Sequence, residues 1–152
     1  MTNICFISSS GGHLQELASL RDLAKIFPSF LITERDQFNN ITFGDKVYHV
    51  SQINRREKFF LIHFIKLFFS IFFIFIKERP SCIITTGALV SFPACILGKL
   101  FGAKIIYIES FARIYSPSLT GKLVYKIADV FIVQWKPLLK FYPSAIYMGG
   151  IF

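Results

Sequence analysis

The amino-acid sequence predicts an α/β fold built on a single open parallel sheet, and three observations predict it. Short β-rich runs alternate with helical patterns along the whole chain. The runs "IIYIE" and "VFIV" are almost entirely apolar, as parallel strands covered on both faces are. Small residues and glycines follow several runs, where an open parallel sheet binds its ligands. This alternation is the pattern of a Rossmann-like sheet with right-handed helical crossovers.

In chain order, strands are expected near 3–8, 29–34, 46–50, 82–86, 104–109, 129–134 and 145–148. Helices are expected at about 13–27, 55–78, 91–101 and 117–128, with a short helical turn near 137–141. Within 13–27, Leu14, Leu17, Ala18, Ala24 and Phe27 share one helical face, while Gln15, Glu16, Arg21, Asp22 and Lys25 fall largely elsewhere. A length of 152 residues is that of one domain, 1–152. It is enough to bury a core without disulfides. Cys5, Cys82 and Cys95 are odd in number, widely spaced and free of any CxxC pattern. They are expected as small core residues in a reducing compartment rather than as a disulfide framework or a zinc site.

Hydrophobic residues make up 53% of the chain, and the formal net charge is +8. That balance suits an anionic membrane face or a nucleic acid. Nucleic-acid binders cluster Lys and Arg with aromatics among them, whereas these cations are spread along the chain. A membrane surface is the expected partner, and nucleic acid is not. The N-terminus shows no secretory signal pattern, so the cytoplasmic face of the membrane is the expected location.

Three strand ends carry the polar residues of interest. In "SSSGGHLQEL", Gly11 and Gly12 permit a sharp turn that brings backbone N–H groups to a ligand. The following helix directs its positive dipole end to the same place, and Ser9 and Ser10 add hydroxyls. His13, next in line, is the side chain best suited to exchanging protons near neutral pH. "TTGALVSFP" places Thr86 and Gly87 at a second strand end, and "IESFAR" places Glu109, Ser110 and Arg113 at a third. The dinucleotide fingerprint GxGxxG and the Walker pattern GxxxxGK[ST] are both missing from "SSSGGH". Glu34 nevertheless ends the second strand, where an acidic residue would hold a ribose. No metal or cofactor is expected, because helix N-termini and basic groups neutralise phosphates.

Residues 59–76 contain one formal charge, Lys66, and would extend about 27 Å as a helix, close to the hydrocarbon thickness of a bilayer. A spanning helix would place the first three strands across the membrane from the rest and tear the sheet. Basic residues flank both ends (Arg55, Arg56, Lys58; Lys77, Arg79) and give no orientation bias. Arg56, His63, Lys66, Ser70 and Lys77 fall in one narrow stripe, leaving more apolar surface than one side of a sheet covers. The expectation is a monotopic helix with one face on the sheet and another in the lipid interface. Phe60, Phe64, Lys66, Phe68, Phe72 and Phe75 are its expected membrane contacts. Cover by a partner protein is the alternative.

Taken in order, "SSSGGHLQEL", "TTGALVSFP", "IESFAR" and "ADVFIVQW" resemble a known family across essentially the whole chain. This is the membrane-associated, acceptor-side subunit of the split UDP-GlcNAc-type glycosyltransferases of lipid-linked oligosaccharide synthesis, in its bacterial capsule and exopolysaccharide branch. The resemblance implies the N-terminal half of a GT-B glycosyltransferase. A small separate partner would hold the nucleotide sugar, and a lipid-diphosphate-linked glycan would be the acceptor. It implies catalytic roles for His13 and Glu109, and acceptor or phosphate contacts for Ser9, Ser10, Gly11, Gly12, Thr86, Gly87, Ser110 and Arg113. His13 fits either a base or a diphosphate ligand. The eukaryotic subunit carries an N-terminal transmembrane segment, whereas this chain begins on a strand, so anchoring is expected from elsewhere. Two other readings stand beside the subunit, which is expected to be inactive without its partner. One is a non-catalytic enhancer or scaffold of a separate transferase, and the other is a Rossmann-type nucleotide-dependent reductase.

Overall fold

Each apolar run forms its strand, and all of them join one sheet. The structure, a computed structural model, describes residues 2–35 and 41–151. The strands are β1 (Ile4–Ser8), β2 (Ser29–Glu34), β3 (Lys46–Val50), β4 (Cys82–Thr85), β5 (Lys104–Ile108), β6 (Val130–Val133) and β7 (Ile146–Tyr147). They lie in the order β3-β2-β1-β4-β5-β6-β7, every neighbouring pair parallel. The strand order reverses between β1 and β4. An open sheet opens its ligand crevice at such a switch point, beyond the carboxyl ends of the strands.

The helices are α1 (Gly12–Ala18), α2 (Leu23–Ile26), α3 (Phe60–Glu78), α4 (Ser91–Leu100) and α5 (Leu119–Val124), with a 3-10 turn at Lys136–Lys140. Alternate strand residues feed two cores, as the two-residue period requires. Ile4 and Phe6 meet Leu14 and Leu17 on the α1 side. Cys5 and Ile7 join Leu67, Ile71 and Phe75 of α3 and Val90, Ala94 and Cys95 near α4 on the other. The cysteines are free, with Cys5 and Cys95 buried and Cys82 half-buried.

Three helices are shorter than their patterns suggest, each for a local reason. The expected helix 13–27 breaks between α1 and α2, where Ser19, Leu20 and Arg21 donate to carbonyls three residues back and tighten the chain. The expected helix 55–78 starts only at Phe60. Asn54 Oδ1 accepts from the Arg56 N–H at 3.1 Å, and Glu57 Oε1 accepts from the Asn54 N–H at 2.7 Å. These side chains offer the backbone a turn in place of a helix. The expected helix 117–128 begins after Ser118, whose Oγ caps it by accepting from the Gly121 N–H at 2.8 Å.

α3 divides into three stripes. Leu67, Ile71 and Phe75 are buried on the sheet. His63, Lys66, Ser70 and Lys77 run along one flank, with Lys77 over the Tyr48 ring. Leu61, Ile62, Ile65, Phe69, Phe73 and Ile76 point outward, each at least 45% exposed. β3 before α3 and β4 after it lie in the same sheet, so the helix does not divide the fold between two sides of a bilayer. The expected contact set is corrected by this geometry. Phe75 is fully buried, and Phe60, Phe68 and Phe72 are half-buried against the core. Phe64 is half-buried and Lys66 exposed. The hundred-degree step per residue turns positions 61, 65, 69, 73 and 76 outward instead.

Candidate functional site

His13 and Thr86, 73 residues apart, meet across the switch point through two hydrogen bonds. Thr86 Oγ1 donates to the His13 carbonyl at 2.8 Å, and His13 Nδ1 lies 3.0 Å from the Thr86 carbonyl. A carbonyl only accepts, so Nδ1 carries the proton and Nε2 keeps its lone pair. Burial lowers the His13 pKa below its ordinary value of 6.5, against the raising effect of the Thr86 bond. The ring is therefore neutral at pH 7 and has one nitrogen able to take a proton.

Backbone geometry explains why the loop after β4 sits so close. Gly87 has φ of 105°, and a Cβ there would lie 2.7 Å from the Tyr107 hydroxyl, so no other residue fits without displacement. Ala88 also adopts a positive φ, 70°. The turn is held by Thr85 Oγ1, which accepts from the Gly87 N–H at 3.0 Å, and by the Ser91 hydroxyl, which donates to the Gly87 carbonyl.

His13, Ala88 and Leu89 line one part of a cleft of about 650 Å³. Ser110, Ala112, Arg113, Ser118, Leu119 and Thr120 line another, and residues 52–56 a third. Arg55, Arg56 and Arg113 all contribute, and among the described residues no carboxylate does. Three fixed positive charges beside a neutral imidazole make a receptor for an anion whose neighbouring group gives up a proton. Of the residues expected from the sequence, His13, Ser110 and Arg113 share this cleft, and Thr86 and Gly87 position it from behind. Ser9, Ser10, Gly11 and Gly12 form the turn on which His13 stands but do not line the cleft. Gly11 has φ of 77° and ψ of −140°, a backbone state that only glycine adopts readily.

Glu109 occupies a different place from the one its expected catalytic role requires. It is fully buried, and both oxygens are engaged. Oε2 accepts from the Ser118 N–H and hydroxyl, both at 3.1 Å, and from the Tyr142 hydroxyl at 2.7 Å. Oε1 accepts from the Ser110 N–H at 3.1 Å. Burial, then this bond, pushes the Tyr142 hydroxyl pKa up and keeps it a donor. The correction is from a group facing the acceptor to one that ties both ends of the 110–118 loop.

Glu16 and Gln134 were not picked out from the sequence. Glu16 is buried, and its Oε1 accepts from the Phe111 N–H at 2.8 Å and from the Gln134 amide. Gln134 also donates to the Glu109 carbonyl at 3.0 Å and accepts from the Ile151 N–H at 3.0 Å. The helical period puts Glu16 off the apolar face of α1, so no signal in the sequence marks it as buried. Arg55 and Arg56 were visible only as flanking charges of the apolar segment. The Asn54–Glu57 turn makes them part of the cleft, and Arg55 donates to Thr120 Oγ1 at 3.2 Å.

Glu34 is buried and accepts a hydrogen bond from the Ser10 backbone. The oxygen that a ribose would need thus bears on the glycine turn. Burial pushes its pKa from the ordinary 4.5 up to about 7. The unfolded chain loses this proton near pH 4.5 while the folded chain keeps it until about 7, so stability falls as pH rises through that window and is flat above it. Glu34→Gln removes the penalty. Thermal unfolding is expected to show the variant about 3–6 °C more stable than wild type at pH 8 and unchanged at pH 4.

The family described as "Oligosaccharide biosynthesis protein Alg14 like" matches residues 46–151. The chain is 27% identical over 178 aligned residues to the UDP-N-acetylglucosamine transferase subunit ALG14 of Mus musculus, covering 97% of this chain and 82% of that one. The Candida albicans subunit of the same name is 42% identical over 80 residues, 49% of this chain and 36% of that one. Among solved structures, Acinetobacter baumannii MurG superposes with a TM-score of 0.69 at 13% identity, over 88% of this chain and 41% of that one. A UDP-N-acetylglucosamine 2-epimerase gives 0.74 at 14%, over 98% and 48%. At such identities the likeness is one of fold, and this chain spans less than half of either structure.

Proposed function

We propose, from the premise that this chain belongs to the Alg14-like oligosaccharide biosynthesis family, that it is the acceptor-binding, membrane-docking subunit of a two-chain glycosyltransferase. The donor is a nucleotide sugar, UDP-N-acetylglucosamine by the relatives' names, held mainly by a small partner chain. The acceptor is a glycan on a lipid diphosphate, in polysaccharide assembly of the capsule or exopolysaccharide kind. The observation that carries this reading is the cleft in which neutral His13 faces the same space as Arg55, Arg56 and Arg113.

The chemistry follows from those groups. The arginines take the acceptor diphosphate, with Arg113 placed by the bond from its N–H to the Ser110 carbonyl at 2.9 Å. The acceptor hydroxyl oxygen attacks the anomeric carbon of the donor, forming the new glycosidic bond. The bond from that carbon to the nucleoside diphosphate breaks, and the diphosphate leaves with the electron pair toward the partner chain. His13 Nε2 takes the hydroxyl proton. A neutral ring with a free lone pair fits a base better than a phosphate clamp, which works as a cation. Outward Leu61, Ile62, Ile65, Phe69, Phe73 and Ile76, with Lys66 and Lys77 alongside, suit an interfacial helix on the cytoplasmic face of the membrane.

Transfer of radiolabelled sugar to membrane lipid extract tests the assignment, using this chain alone, the candidate partner alone and the two mixed. Activity is expected only in the mixture. Full activity from the partner alone would reduce this chain to an anchor or enhancer.

A further inference from the structure

Next to the basic cleft lies a groove of opposite character. It is about 400 Å³ and runs between the start of α3, α4 and α5, a size within the roughly 300–1,000 Å³ of small-molecule sites. Phe60, Leu61 and Phe64 form one wall, Phe92 another, and Leu123 faces them from α5. Among the described residues its only polar contributors are Arg55 and Thr120, which are bonded to each other at 3.2 Å. Both of them, with Leu89 and Leu119, also line the cleft. Cleft and groove therefore adjoin across a shared wall, the one cationic and the other apolar.

We propose that this groove seats the first units of the polyprenyl chain of the same lipid whose diphosphate occupies the cleft. The inference rests on the acceptor-site reading above and extends it to a tail-binding subsite. Charge complementarity and the shared wall identify the occupant. A molecule with its anionic head among Arg55, Arg56 and Arg113 must lead its next atoms past the Arg55–Thr120 bridge, and the surface it then meets is apolar. A flat bilayer face suits the convex outward row of α3 from Ile62 to Ile76, whereas a concave groove, with Leu61 on its wall, suits a single chain. Leu61, Leu119 and Leu123 are 67%, 54% and 45% exposed, so the groove is lined by side chains that covering by an apolar tail would remove from water.

Calorimetric titration of the full chain with three soluble probes tests this: inorganic diphosphate, geranyl diphosphate and geraniol. Geranyl diphosphate is expected to bind at least about tenfold more tightly than inorganic diphosphate, a gain of about 1.4 kcal/mol. Leu123→Gln and Leu61→Gln, on opposite walls and at exposed positions, are expected to abolish that gain while leaving inorganic diphosphate binding unchanged. Arg113→Ala is expected to weaken both diphosphate probes. Equal affinity for the two diphosphates overturns the groove assignment, as does a gain that both Gln variants retain. Binding of geraniol and geranyl diphosphate with equal affinity, lost in the Gln variants, keeps the groove and overturns the diphosphate cleft. Binding of none of the probes overturns both.

Discussion

His13→Ala is expected to lower sugar transfer by the assembled two-chain enzyme at least about 100-fold, the lower end of what a positioned proton acceptor contributes. Steady-state rates with saturating donor are the measurement. The ring is set from both sides: Thr86 Oγ1 donates to the His13 carbonyl, and the Thr86 carbonyl receives the Nδ1 proton. Deletion of the imidazole removes the base and leaves the Thr86 carbonyl without its side-chain donor. A pH profile separates chemistry from structure. Burial places the His13 pKa below 6.5, so the acid limb of kcat/KM is expected to have its midpoint below that value and to disappear in the variant. An unchanged rate with normal complex formation would make the chain a scaffold. An unchanged acid limb with a lowered rate would assign His13 to positioning alone.

Gly121→Ala is expected to cost about 2–3 kcal/mol of stability, or about 5–10 °C in thermal unfolding for a chain of this size. A Cβ at that position would lie 2.2 Å from Glu109 Oε2, 2.5 Å from the Tyr142 hydroxyl and 2.9 Å from Ser118 Oγ. Ser118 and Tyr142 both donate to Glu109 Oε2, so a retreat by any of the three breaks a buried hydrogen bond. Relief that keeps those bonds moves α5 off the carboxyl, which also moves Ser118, Leu119 and Thr120 at the cleft wall. Transfer should therefore fall even below the melting temperature. A variant as stable and as active as wild type would show that the Glu109 tie is not what holds the 110–118 loop.

The inner strands were legible because each is a short, mostly apolar run bounded by small or polar residues, and burial on both faces leaves little choice of side chain, whereas the edge strands β3 and β7 are more exposed. Their order in the sheet follows from the handedness of parallel crossovers and the reversal at β1. The end of α3 falls at Glu78 as expected, where Arg79 takes the left-handed backbone state that closes it. Its start was not legible, because the side chains of Asn54 and Glu57 turn the backbone locally, through bonds two and three residues apart, and that competes with the helical period.

The site divides in the same way. His13 was legible from two glycines at the end of β1, since a helix starting there must face the switch point. Its proton state was not, since that depends on a carbonyl 73 residues away. "IESFAR" places both Glu109, with a catalytic role implied, and Arg113, with a phosphate contact implied, at the same strand end. In the fold, Arg113 lines the cleft while Glu109 is sealed beneath α5 with Tyr142. The sequence by itself determined the sheet, the helix-by-strand alternation, the glycine turns and the surplus of apolar surface on residues 59–76, because these depend on near neighbours and on period. Tertiary structure alone decided which phenylalanines face outward, which carboxyl is buried, and that Arg55 and Arg56 join Arg113 around one cleft. Those outcomes rest on contacts between residues tens of positions apart, and long-range proximity leaves no period to read.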